Sequence, residues 1–281
     1  MKPKLLIASA MLVAAMALNA QPVSVSAPRM LLQGHNMMAP VWSPDGSQIA
    51  VTGDNYVGIW VAQADGSQLH QVSNASGAGY KMSWVDATTL RACPYTLDNN
   101  RRITSVENIN VATGEATVVG QPMRQHRASR AMDSATPSVL RLMVDDPMNA
   151  TRQIAELNAY AGRMILNPAL SPDGKRIAFQ VVGNGTMVCN ADGTGVRALG
   201  AGAYPSWLPD SRHIMVSRIS DDGEVFTASD IYCVNVDNGN ATCITAGTDV
   251  IPITIAVSPD GSMVAFDNDT DGCIYVIDLK Y

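Results

Sequence analysis

Short apolar runs, each only strand-length, alternate with compact polar turns along most of the chain. Ile49-Ala50-Val51, Ile177-Ala178-Phe179, Ile214-Met215-Val216 and Val264-Ala265-Phe266 are each followed by a second run, at 58–61, 186–188, 231–234 and 274–277. Turns such as Ala64-Asp65-Gly66 and Ala191-Asp192-Gly193 then lead into a further short strand at 68–72 and 196–199. Runs of this length, rich in Val and Ile and bounded by Gly, Pro, Asp and Ser, predict β-strands joined by hairpins.

The turns repeat. Ser43-Pro44-Asp45-Gly46 recurs as Ser171-Pro172-Asp173-Gly174 and Ser258-Pro259-Asp260-Gly261, with a decayed copy at Leu208-Pro209-Asp210-Ser211. Proline presets φ for the first central position of a tight turn, Asp tolerates the second, and Gly supplies a positive φ. These aspartates are therefore turn formers. The 215 residues from Ser43 to Ser258 divide into five steps of 43. Trp84-Val85-Asp86 with Leu90-Arg91-Ala92 and Ile109-Asn110-Val111 fills the first gap in the series. Asp133-Ser134-Ala135, with 139–142 and 154–157, fills the second more loosely. Trp42, Trp84 and Trp207 stand at equivalent places before the turn and read as packing residues between blades.

Four-stranded repeats of 40–45 residues imply a β-propeller. The expectation is an all-β, six-bladed propeller with four-stranded blades, occupying 21–281 as a single domain. The last copy stops at Tyr281 after three strands, and Arg29-Met30-Leu31-Leu32-Gln33-Gly34 reads as the lone fourth strand that closes it. The repeat resembles the WD-repeat-like propeller unit of the TolB family, also found in the propellers of prolyl-oligopeptidase-type enzymes. That resemblance implies a propeller that binds a protein or peptide partner of the cell envelope.

Composition narrows the classes. With 47% hydrophobic and 16% charged residues the chain can bury a core. Its net charge is −6, and −8 without Lys2 and Lys4, which argues against binding nucleic acid through phosphate neutralisation. Those two lysines precede an apolar run at 5–18 and an A-x-A-like site, the parts of a cleaved secretory signal at 1–20. The run is too short to span a bilayer, and no cysteine follows it for a lipid anchor. A periplasmic or secreted monomer that does not span the membrane is expected. Five cysteines remain, none in a C-x-x-C pair. A three-residue turn centred on Asn238 would set Cys233 opposite Cys243, close enough for a cross-strand disulfide, although buried thiols are the plainer outcome.

No catalytic constellation is legible. The chain lacks G-x-S-x-G, H-E-x-x-H and a P-loop, so no catalytic residue and no cofactor are assigned. An alternative function is a channel-metal enzyme acting on a polysaccharide, like the lyase propellers, and it would need His35 and His126 to meet. Asp267-Asn268-Asp269-Thr270-Asp271-Gly272 matches D-x-D-x-D-G, with Asp278 at loop position 12. The plain reading is an acidic surface hairpin. The alternative is a calcium loop using Asp267, Asp269, Asp271 and Asp278, which would make the protein a calcium-stabilised module. Loops entering the innermost strands offer a binding face around the pore: His35, Asn36, Tyr80, Lys81, Arg124, His126, Arg127 and Tyr204. Their basic members suit an anionic ligand or an acidic peptide tail.

Overall fold

The computed structural model describes residues 24–34, 36–120, the backbone of 123–124, and 135–281. Four of its sheets are complete four-stranded antiparallel blades, spanning 38–73, 83–118, 165–200 and 203–243 in chain order. The fifth blade takes Pro252–Val257, Met263–Asn268 and Cys273–Lys280, and its outer edge comes from the N-terminus. There Arg29–Leu32 and Ser24–Val25 both pair with Cys273–Lys280. The predicted closure by an N-terminal strand is present, and it covers an edge that would otherwise be open.

The blade count differs from the sequence expectation. The segment read as a third blade forms two helices, α1 at Ser138–Asp145 and α2 at Pro147–Gln153, followed by a 3-10 turn at Ala155–Tyr160. Residues 133 and 134 of that prediction lie outside the described residues. The reason is periodicity: Leu140, Met143 and Val144 recur at helical spacing, and all three are buried. Asp146 then caps α2, its carboxylate accepting from the Asn149 amide at 3.2 Å, with Pro147 in the first turn. The helices bury Leu140, Met143, Ala150 and Leu157 against Ile177, Phe179 and Met187 of blade three. They cover the blade face that a neighbouring sheet would otherwise cover. The chain therefore folds as a five-bladed propeller with a helical insert.

Second strands of blades one, three, four and five are buried on both faces, as in Ile49-Ala50-Val51 and Val264-Ala265-Phe266, because each sheet is sandwiched between its neighbours. Burial of each large side chain of this kind contributes roughly 1.5–3 kcal/mol. The three S-P-D-G turns share the same pair of serine bonds. Ser43 Oγ donates to Asp45 at 2.6 Å and accepts from the Gln48 amide at 2.9 Å; Ser171 and Ser258 do the same with Asp173 and Asp260, and with Arg176 and Met263. The decayed copy substitutes a different partner. Leu208 has no hydroxyl, and the Asp210 carboxylate instead meets His213 Nδ1 at 2.6 Å, both side chains almost fully buried.

The predicted turn between Cys233 and Cys243 is one residue off. Val236–Gly239 is a four-residue loop closed by the Gly239 amide on the Asn235 carbonyl, with Gly239 at φ 77°. Tyr232 therefore faces Cys243 while Cys233 faces Thr242, and all five thiols are free. A one-residue slip sends every side chain to the opposite face of the sheet.

Candidate functional site

Antiparallel connectivity sorts the loops onto two faces. The S-P-D-G turns lie on one; the connections into each innermost strand, and those between second and third strands, lie on the other. On this second face two connections are enlarged. In blade two, Tyr95–Asp98 and Arg101–Thr104 form an extra hairpin, joined by Met123–Arg124. In blade four the hairpin of His213–Asp221 and Phe226–Asn235 projects beyond its sheet.

Aromatic residues gather on this face. Tyr56, in the hairpin of blade one, meets Tyr80 edge-on with ring centroids 5.1 Å apart. A side chain at Gly79 would collide with Thr52, its Cβ falling 1.9 Å from Oγ1, so only glycine lets the loop before Tyr80 lie this close to blade one. Lys81 Nζ sits 5.4 Å from the Tyr80 ring centroid. Tyr204 is half-buried at the entrance to blade four; burial, then Tyr56, then Asp267 raise its phenol pKa. Burial, then Tyr80 and Asp267, raise Tyr56 in the same way. Tyr56 and Tyr204 thus share one electrostatic neighbourhood with Asp267, and Tyr80 packs on Tyr56.

Left-handed backbone marks the same place. Ala39, Asn167 and Tyr204, each followed by proline, have φ of 52°, 51° and 51°, and each lies within an irregularity of its innermost strand. This repeated bulge accounts for Tyr204. Tyr56 at φ 59° has no such sibling, and a bulky residue there is uncommon.

Asp267 is the buried acid of the site, 7% exposed. Its Oδ1 accepts from the Thr254 amide at 2.8 Å and from the Thr254 hydroxyl, which in turn accepts from the Ala39 amide at 3.1 Å. Desolvation outweighs these bonds and pushes the carboxyl up to about 6. Sequence reading placed Asp267 in an acidic surface hairpin, with a calcium loop as the alternative, and passed over Tyr56. The signal for Tyr56 was available: it occupies the second-to-third strand turn of blade one, the connection whose counterpart in blade five carries the acidic run.

The other predicted residues are dispersed. Asn36 is exposed beside Gly272, whose added Cβ would fall 2.5 Å from the Asn36 amide nitrogen. Arg124 contributes backbone to the extra sheet of blade two, paired with Ile103. His35, His126 and Arg127 lie outside the described residues. The four aspartates of the calcium reading do not converge. Asp271 accepts from the Tyr275 hydroxyl at 2.8 Å and the Cys273 amide at 3.0 Å. Asp278 is at the far end of its strand, opposite Met263, in an ion pair with Arg29 at 3.4 Å. Among the described residues, no group of three metal-ligating side chains forms. Among them too, no helix is long and apolar enough to cross a membrane.

No family model matches the chain, and no curated protein does. Among solved structures, an oligogalacturonate lyase in complex with manganese is 14% identical, covering 92% of this chain and 80% of that one, with a TM-score of 0.43. At that distance nothing about chemistry carries over, and the propeller assignment stands on the five sheets themselves.

Proposed function

We propose that this protein is an exported, non-enzymatic propeller that binds a protein or peptide partner of the envelope, in the manner of TolB-family propellers. The observation that supports this reading is the Tyr56–Tyr80 pair on the face of the innermost-strand connections, with Lys81 beside it and Tyr80 48% exposed. Tyrosine supplies large, stiff, amphipathic contact area, and such residues anchor interfaces. The rigid sheets beneath hold them in place, and the two enlarged hairpins frame the same face.

The test is capture from envelope extract by the processed chain, compared with Tyr80→Ala and Lys81→Ala. A saturable partner whose capture falls at least tenfold in either variant supports the reading. A partner bound equally by all three proteins places the interface elsewhere.

A further inference from the structure

Three guanidinium groups converge on one aspartate at the seam between blades three and four, on the face of the S-P-D-G turns and so opposite the tyrosines. Arg176, which begins the second strand of blade three, donates from Nη1 to Asp237 Oδ1 at 2.8 Å. Arg212, just before the second strand of blade four, donates from Nε to Asp237 Oδ2 at 3.1 Å. Arg197, at the start of the fourth strand of blade three, donates from Nη1 to the Asp237 backbone carbonyl at 2.6 Å. Its own charge therefore meets no carboxylate among the described residues. Three arginines against one aspartate leave a surplus of two positive charges in this contacting group. The neighbouring ions do not cancel it: Asp173 is offset by Lys175 at 4.0 Å, and the buried Asp210 carboxylate is turned onto His213. Each guanidinium carries five N–H donors and spends one of them on Asp237. A hollow of about 250 Å³ opens beside the cluster, lined by Arg176, Arg197, Asn190 and Asp237 and by the buried Val188 and Cys189.

We propose that this hollow binds a phosphoryl group as its dianion, with Arg197 and the unspent N–H groups of Arg176 as the donors. Arginine is the side chain best matched to phosphate, because its planar fork meets two oxygens at once. A phosphomonoester carries about −1.5 to −2 charges at pH 7, which balances the surplus of two; a single carboxylate balances half of it. Guanidiniums gathered this closely repel one another, and a dianion between them removes that repulsion. Asp237 is the like charge at the site. Both of its oxygens are already engaged, Oδ1 by Arg176 and Oδ2 by Arg212, so it holds the arginines in place while Arg197 faces the ligand unneutralised. The site shares no residue with the tyrosine face and stands apart from the reading of that face as a peptide-binding surface.

The experiment titrates the processed chain with inorganic phosphate and, separately, with glycerol 3-phosphate, at pH 7.5 and constant ionic strength in chloride, followed by arginine side-chain resonances in NMR. Acetate is the control. Saturable binding of a phosphate probe is expected, with acetate at least tenfold weaker. Tighter binding of glycerol 3-phosphate supports the site and assigns it to a phosphate ester of a larger molecule; tighter binding of inorganic phosphate supports it and assigns it to the free ion. Arg197→Gln should weaken binding at least tenfold. Should that variant fail to fold, Arg197→Lys, which keeps the charge and loses the fork, serves in its place and should weaken it severalfold. Asp237→Asn removes the like charge and should tighten it. No saturation by either phosphate, acetate bound as tightly, or unchanged affinity in the folded variants overturns the phosphoryl site.

Discussion

The Trp84 indole nitrogen donates to the Val41 carbonyl oxygen at 3.0 Å, across the seam between blades one and two. The same bond runs from Trp42 to Ala256 at 3.1 Å and from Trp207 to Ala169 at 2.9 Å. The seam between blades four and five uses a substitute, with the Val257 amide donating to Ser206 Oγ at 3.0 Å. In blade three the equivalent position is Leu170, and the helical insert lies against that blade. Trp84→Phe keeps most of the packing and leaves the Val41 carbonyl without the indole. A loss of about 1 kcal/mol in urea unfolding is expected. An unchanged midpoint would show the bond contributes nothing.

Asp267 titrates against folding. A carboxyl raised from 3.8 to about 6 contributes stability that is fully present below about pH 3.8 and lost as the pH rises through 6. Asp267→Asn should therefore be more stable than the parent at pH 7, by up to about 3 kcal/mol, with the gap closing towards pH 4. Thermal melts of both proteins across that range check the prediction. A constant gap would assign the effect to packing.

His70 has the opposite linkage. Its ring nitrogens face the carbonyls of Val111 and Gln68, each at 2.9 Å, and these two bonds, Val111 first, raise its pKa. Its stabilising effect is present below its unfolded value of 6.5 and lost as the pH rises through the higher folded one. His70→Ala should lower the melting temperature at pH 5.5 and change it little at pH 8.5.

The Asp210–His213 pair replaces a serine hydroxyl in the decayed turn. Asn235 Nδ2 donates to His213 Nε2 at 3.0 Å, leaving Nδ1 to carry the proton toward Asp210. Burial pulls the Asp210 pKa up, but the His213 and backbone bonds hold it below the ordinary carboxylate value. His213→Ala strands that carboxylate and should cost about 2–3 kcal/mol in chemical denaturation.

Thiol labelling gives an independent check on the register of blade four. Burial pushes Cys189 and Cys233 up to about 12, whereas Cys243 is partly exposed. At pH 8 a thiol reagent should modify Cys243 well before either of the others, which react only on unfolding. Simultaneous loss of Cys233 and Cys243 from the free-thiol count would point to the disulfide that the structure does not form.

Much of the fold was legible because its signals are local. Ser-Pro-Asp-Gly closes a turn through bonds within six residues, so three copies announce three blades wherever they stand. The segment at 138–157 has no such turn, and a repeat arithmetic tuned to strands overrode the helical spacing of Leu140, Met143 and Val144 and the Asp146-Pro147 start signal. The cysteine register failed for a similar reason, since a hairpin loop of three or four residues fits the same letters until Gly239 takes its conformation.

The sequence alone determined the propeller class, the strands of blades one, three, four and five, the blade-packing role of the three tryptophans, and the N-terminal closure. Each depends on short-range turn chemistry or on a pattern repeated along the chain. The number of blades was decided by what covers the open face of blade three, a matter of tertiary packing. The site was decided the same way. Tyr56 and Tyr80 come from the loops of two blades, and only the packing of one blade on the next brings their rings together. Burial of Asp267 within the strand Met263–Asn268, which no neighbouring residue in the chain foretells, raises the pKa of an aspartate that the sequence alone reads as part of an acidic surface hairpin.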